Sequence, residues 1–128
     1  MKILETRTAK IELVEEGIVR LRFKRDIELD KADIDDNIKA SVQLTGGRHC
    51  AILEVTGSAG ITDKALKFAG SKQNAKYRLA NALFIRSISV KLLWNFFSYF
   101  FKPTVQNRIF TNEKEAIKWL RGIYRQLQ

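Results

Sequence analysis

The sequence predicts an α/β domain: a mixed sheet of four or five strands, opened by an antiparallel hairpin and then partly parallel, with about four helices. Three observations predict it. Apolar residues alternate with period two near the N-terminus, short apolar runs and stretches of helical spacing take turns further on, and turn or cap residues separate the two kinds. Strands joined through helices pair in parallel, and the helices then cover the sheet. The 128 residues, 45% apolar and 29% charged, suit one domain over 1–128 with a core of its own.

The elements follow in order. Ile11 and Leu13 alternate with Lys10 and Glu12, and Val19, Leu21 and Phe23 alternate with Arg20, Arg22 and Lys24. With Glu16-Gly17 as the turn between them, this predicts a hairpin with one buried face. Ile27 to Leu29 adds a brief extended piece. Asp30 is a good N-cap, Ile34, Ile38 and Val42 follow at helical spacing, and Gly46-Gly47 ends that helix. "CAILEV", 50–55, is an almost continuous apolar run, as in a strand covered on both faces. Thr62 caps a short helix holding Ala65, Leu66 and Ala69, and "ALFI", 82–85, is a second buried strand. "VQNRIF", 105–110, is the last strand, and Thr111 or Asn112 caps a terminal helix, Asn112 and Glu115 having capping-box spacing. Ala116, Leu120, Ile123 and Leu127 form its apolar stripe, opposite a solvated one of Lys114, Lys118, Arg121 and Arg125.

Charge is unevenly placed. Residues 1–63 hold ten Lys/Arg against twelve Asp/Glu, whereas 64–128 hold thirteen bases and only Glu113 and Glu115. A basic half of this kind either keeps the protein soluble or meets an anionic partner. The N-terminal stretch, interrupted by Glu5, Arg7, Lys10 and Glu12, has no apolar signal core, and the window 79–101 is broken by Arg86 and Lys91. A bilayer-spanning helix needs roughly 20 apolar residues. The expectation is a cytoplasmic protein, peripheral at most to the inner membrane face.

"KLLWNFFSYFFK", 91–102, carries six aromatic residues in the eight positions from Trp94 to Phe101. On a helix over 88–102, Lys91, Asn95, Ser98 and Lys102 make one narrow polar stripe, with Leu93, Phe96, Phe97 and Phe100 opposite. Trp94 and Phe101 lie on one shoulder of that stripe, Leu92 and Tyr99 on the other. Core packing, contact with a membrane surface or an apolar small molecule, and a homodimer seam all suit such a helix. For membrane contact the inserting residues are Leu92, Trp94, Tyr99 and Phe101, and the anionic headgroups fall to Arg86, Lys91, Lys102 and Arg108.

Other constellations are sparse. His49 is the only histidine and Cys50 the only cysteine, so no disulfide, metal set or catalytic triad is expected, and His49 reads as a strand-edge residue beside a buried thiol. The acids from Asp26 to Asp36 lack the glycine and terminal glutamate of a calcium loop and instead favour a helix start. "TGSAG", 56–60, has no phosphate-loop spacing. The chain is expected to be no enzyme and to need no cofactor. Basic charge beside aromatics is compatible with single-stranded nucleic acid, but the rings cluster on one helix and no nucleic-acid motif is present, which disfavours that partner.

The hairpin start, "AILEVTG", "ITDKALKFA", "ALFIRS" with an aromatic helix after it, and "RIFTNEKEAIKWL" together resemble the SpoIIAA-like group. These are small bacterial STAS/SEC14-type domains related in fold to anti-sigma-factor antagonists and CRAL-TRIO domains. The resemblance implies a regulatory or binding module. In the antagonists, a strand ending in Asp leads to an Asp-Ser-Ser at a helix start, where a serine is phosphorylated. Glu54 stands at the place of that Asp, and Thr62-Asp63-Lys64 at the place of Asp-Ser-Ser, so the serines are missing. Two functions are thus expected: contact with a membrane or apolar ligand through 88–102, or an antagonist-type site around Glu54, Thr62 and Asp63 that serves as a phospho-switch, with Thr62 accepting the phosphate, or as a protein-partner loop.

Overall fold

A computed structural model describes residues 2–55, 60–69, 71–85 and 105–127. Eight strands and four helices occur among them: β1 (Ile3–Glu5), β2 (Ala9–Glu15), β3 (Ile18–Phe23), β4 (Glu28–Leu29), α1 (Lys31–Thr45), β5 (His49–Val55), β6 (Gly60–Ile61), α2 (Asp63–Ala69), α3 (Lys72–Ala75), β7 (Arg78–Ile85), β8 (Gln106–Phe110) and α4 (Glu113–Leu127). The main sheet runs β1-β2-β3-β5-β7-β8, and β4 pairs with β6 in a small separate ribbon. β1 pairs antiparallel with β2 and β2 with β3, while β3, β5, β7 and β8 run parallel. The expected hairpin and parallel continuation are both present. The sheet has six strands rather than four or five because the three-residue β1 extends its edge.

Local chemistry explains the element ends. Asp30 accepts from the Lys31 amide at 2.8 Å, and Asp33 at position N3 returns the favour to the Asp30 amide at 2.8 Å, closing a capping box. Gly46 ends α1 at φ 89° and donates its amide to Val42 O, a left-handed conformation that costs glycine little. Gly17 turns the β2–β3 hairpin at φ 78°, and a Cβ there would strike the ring of Tyr124. Asn112 Oδ1 accepts from the Glu115 amide at 3.2 Å, so Asn112 is the cap of α4.

Strand alternation splits the core into two layers. One face carries Ile11, Val19, Leu21, Phe23, Ala51, Leu53 and Leu83, with Ala40 and Leu44 of α1 packed on it. The other carries Ile18, Cys50, Ile52, Ala80, Ala82 and Phe84 beneath Ala116, Leu120 and Ile123 of α4. Leu127 departs from the expected stripe, being exposed at the last turn. Arg121 departs from the solvated stripe, making a two-point ion pair with Glu15 at 2.7 and 2.8 Å. The helix expected over 88–102 lies outside the described residues.

His49 corrects a further expectation. It opens the central strand β5 and is fully buried rather than placed at an edge. It pairs with Arg78 of β7, and Cys50 next to it begins the pairing with β3 on the other side. Cys50, the next residue, points to the α4 face, and burial raises its thiol pKa to about 11, so it is unreactive at neutral pH.

Candidate interaction site

Because β3, β5 and β8 run parallel, the chain leaves each at the same end of the sheet and enters α1, α2 and α4 from there. Ligands and partners of open α/β sheets meet the protein at this end, where helix starts cluster. The β4–β6 ribbon locks two of those starts together. The Thr62 amide donates to Leu29 O at 2.9 Å, and the Gly60 amide donates to Ile27 O at 2.9 Å. Thr62 Oγ1 accepts from the Ala65 amide at 3.1 Å as the cap of α2 and lies 3.4 Å from Asp30 Oδ1, the cap of α1. Lys31, one residue into α1, sits with Nζ 5.2 Å from the Phe68 ring centroid.

Ion pairs ring this end. Arg7, in the β1–β2 turn, holds Asp33 with both guanidinium edges and also donates to Glu28 O at 2.9 Å. Hydrogen bonds from Arg7 are the main reason that Asp33 titrates below the usual aspartate range. Arg22 Nε donates to Glu54 Oε2 at 2.7 Å across the β3–β5 pair. Arg20 bridges Glu12 and Glu113, tying β2 to the start of α4.

Of the expected site residues, Thr62 is half-buried at the α2 cap and Asp63 is exposed in the first turn. Glu54 is only 6% exposed at the end of β5. The three share one end of the molecule but not one face. Glu54 is in phase with Cys50 and Ile52 on the α4 side, whereas Thr62 caps a helix on the α1 side. Arg108 is exposed on β8, its guanidinium carbon 5.2 Å from the Phe110 ring centroid. It flanks an open groove of about 500 Å³ with Lys118 and Trp119 of α4. Arg86, Lys91, Leu92, Trp94, Tyr99, Phe101 and Lys102 lie outside the described residues. No group of three or more metal-ligating acids, histidines or cysteines occurs among the described residues, and no described helix is long and apolar enough to cross a membrane.

Sequence reasoning missed a buried polar chain on the α1 face. His49 Nδ1 donates to Gly47 O at 2.9 Å and Nε2 accepts from Arg78 Nε at 3.0 Å, which defines a neutral imidazole. Arg78 also donates to Asn81 Oδ1 at 2.6 Å, Asn81 donates to Asn107 Oδ1 at 3.0 Å, and Asn107 donates to Val105 O at 2.6 Å. Burial, then the Arg78 charge, pushes the His49 pKa down to about 3. On α1, Asn37 joins Thr6 at 2.6 Å and Thr8 at 3.2 Å, and Ser41 donates to Asn37 O at 2.8 Å. The available signal was Asp33, Asn37 and Ser41 at spacing four on one helix stripe, and Asn81 inside an apolar strand.

A family model described as "Domain of unknown function (DUF7793)" matches residues 12–124. The chain belongs to that family. Among solved structures, it is similar to an uncharacterized protein of the DUF3478 family with a SpoIIAA-like fold from Shewanella loihica PV-4. The two are 13% identical, with 93% of this chain and 90% of that one covered and a TM-score of 0.51. The resemblance in the sequence is therefore matched in three dimensions: this DUF7793 member has a SpoIIAA-like fold. A comparison with curated proteins returns no match.

Proposed function

We propose that this DUF7793 chain is a non-catalytic regulatory module, of the anti-sigma-antagonist type, that docks a protein partner where α1 and α2 begin. One observation carries the proposal: the β4–β6 ribbon and the Thr62–Asp30 contact hold two helix starts side by side. Exposed Asp63 and Lys64 stand beside them. A surface preset in this way loses little conformational entropy on binding. The ion pairs Arg7–Asp33 and Arg22–Glu54 brace the strand and loop ends beneath it. Co-purification from the producing cells, quantified by mass spectrometry, tests the proposal. A partner recovered with the wild type and lost with Thr62→Arg/Lys64→Glu, both folded by circular dichroism, is expected; identical recovery with both contradicts it.

A second reading rests on the composition of 91–102, whose six aromatics beside Lys91 and Lys102 suit an anionic membrane surface or an apolar ligand. Sedimentation with anionic vesicles but not neutral ones, weakened by Trp94→Ala/Lys91→Glu, is its expected outcome. Equal recovery with both vesicle types counts against it.

A further inference from the structure

The bend between α2 and α3 is basic and apolar at once. Lys64, Lys67, Lys72 and Lys76 are all exposed, and no acid occurs in the sequence between Asp63 and Glu113. Among the described residues, none of the four is held in an ion pair. Lys64 and Lys67 lie one turn apart on α2, and Lys72 and Lys76 one turn apart across α3, which Lys76 closes in helical geometry. Like charges at this spacing repel one another, and a polyanion relieves them. Beside the lysines, a cleft of about 340 Å³ opens between α1 and the bend. Ile38 and Val42 of α1, Phe68 of α2 and Tyr77 line it, with Lys76 Nζ 5.3 Å from the Tyr77 ring centroid. Asp35, the acid in this lining, is already paired with Lys39 at 2.8 Å.

We propose that this bend receives an acidic segment of a protein partner, which sets one large apolar side chain into the cleft and carries its carboxylates over the lysines. The inference rests on the docking reading above and names the chemistry of its partner, since Lys64 belongs to both surfaces. Two other polyanions fit less well. A phosphate backbone has no aliphatic side chain to fill a recess, and a bilayer takes up protruding apolar groups rather than filling recessed ones. An apolar recess inside a charged rim is instead the anatomy of a protein-binding surface, where one buried anchor supplies most of the affinity.

The test is titration of the isotope-labelled full chain with synthetic peptides, followed by amide NMR. The probes are Glu-Asp-Glu-Leu-Glu-Asp-Glu and the same peptide with alanine for leucine. Saturable shifts at residues 38–42, 64–69 and 71–77 are expected with the leucine peptide. Affinity should fall about tenfold or more with the alanine peptide, which lacks the buried anchor. It should fall about tenfold in Lys67→Glu/Lys72→Glu, which reverses two exposed charges and leaves the fold intact. No saturable shifts with the leucine peptide, equal affinity for the two peptides, or the same shifts produced more tightly by oligothymidylate or phosphatidylglycerol vesicles overturns the proposal. If the peptides fail while Thr62→Arg/Lys64→Glu still loses a co-purified partner, the docking surface stands and this partner chemistry falls.

Discussion

The two faces of the sheet are covered in different ways. Under α4 the layer is mostly apolar, with alanine, isoleucine, leucine, phenylalanine and one unreactive thiol, and its charged groups, Glu54 and the Arg20 bridge to Glu113, gather at one end. Under α1, α2 and α3 the same strands present apolar residues together with His49, Arg78 and Asn81, and α1 lays Asp33, Asn37 and Ser41 inward. Both described cavities at α1 lie on this second side. Burying a polar group is tolerable only when it is bonded, so a polar layer constrains geometry while contributing less stability. One face thus supplies the cohesion, and the other can afford clefts and a preset docking surface.

Truncations on the two faces give the largest test of this contrast. Leu120→Ala removes a fully buried side chain from the apolar layer under α4 and should cost roughly 3–5 kcal/mol, the upper part of the range for such changes. Ile38→Ala borders two existing cavities and should cost about 2 kcal/mol, because fewer contacts are lost there. Urea unfolding measures both; equal costs would break the contrast.

Acid sharpens it next. The folded-state pKa of His49, about 3, lies below its ordinary 6.5, so the unfolded chain takes up a proton before the folded one does. The stabilising contribution of the neutral ring is complete above pH 6.5 and is lost as pH falls toward 3. Its slope is at most about 1.4 kcal/mol per pH unit. Asp33 and Glu15, whose pKa values are lowered by Arg7 and Arg121, add losses only as pH falls through their ordinary values of 3.8 and 4.5. Wild type should therefore weaken between pH 6.5 and 4.5, and His49→Gln should be nearly flat there. A flat wild type would mean that the polar layer does not hold His49 neutral. The smallest effect belongs to the surface: Arg121→Ala breaks the pair with Glu15, both partly exposed, and should cost about 0.2–1 kcal/mol in the same urea measurement.

Much of the fold was legible because it depends on local chemistry. Alternation announced β2 and β3, and Asp30, Gly46, Thr62 and Asn112 announced their caps. β1 was hidden because three edge residues carry too short a pattern. The first half of β7 was hidden because Arg78 and Asn81 read as polar loop rather than strand. On α1, Ile34 and Val42 looked inward, yet Asn37 and Ser41 lie deeper; bonds to Thr6 and Thr8 from the β1–β2 turn draw that stripe down. The candidate site was legible only at Glu54, Thr62 and Asp63. Arg7, Arg22 and Asp33 join it through partners 26 to 32 residues apart in sequence, which no local window contains.

Site-specific photo-crosslinking tests the docking surface most directly. A photoreactive residue at Lys64 should capture a partner protein in the producing cells, while one at Lys114 on the exposed side of α4 should not. Capture at Lys114 and none at Lys64 would contradict the account.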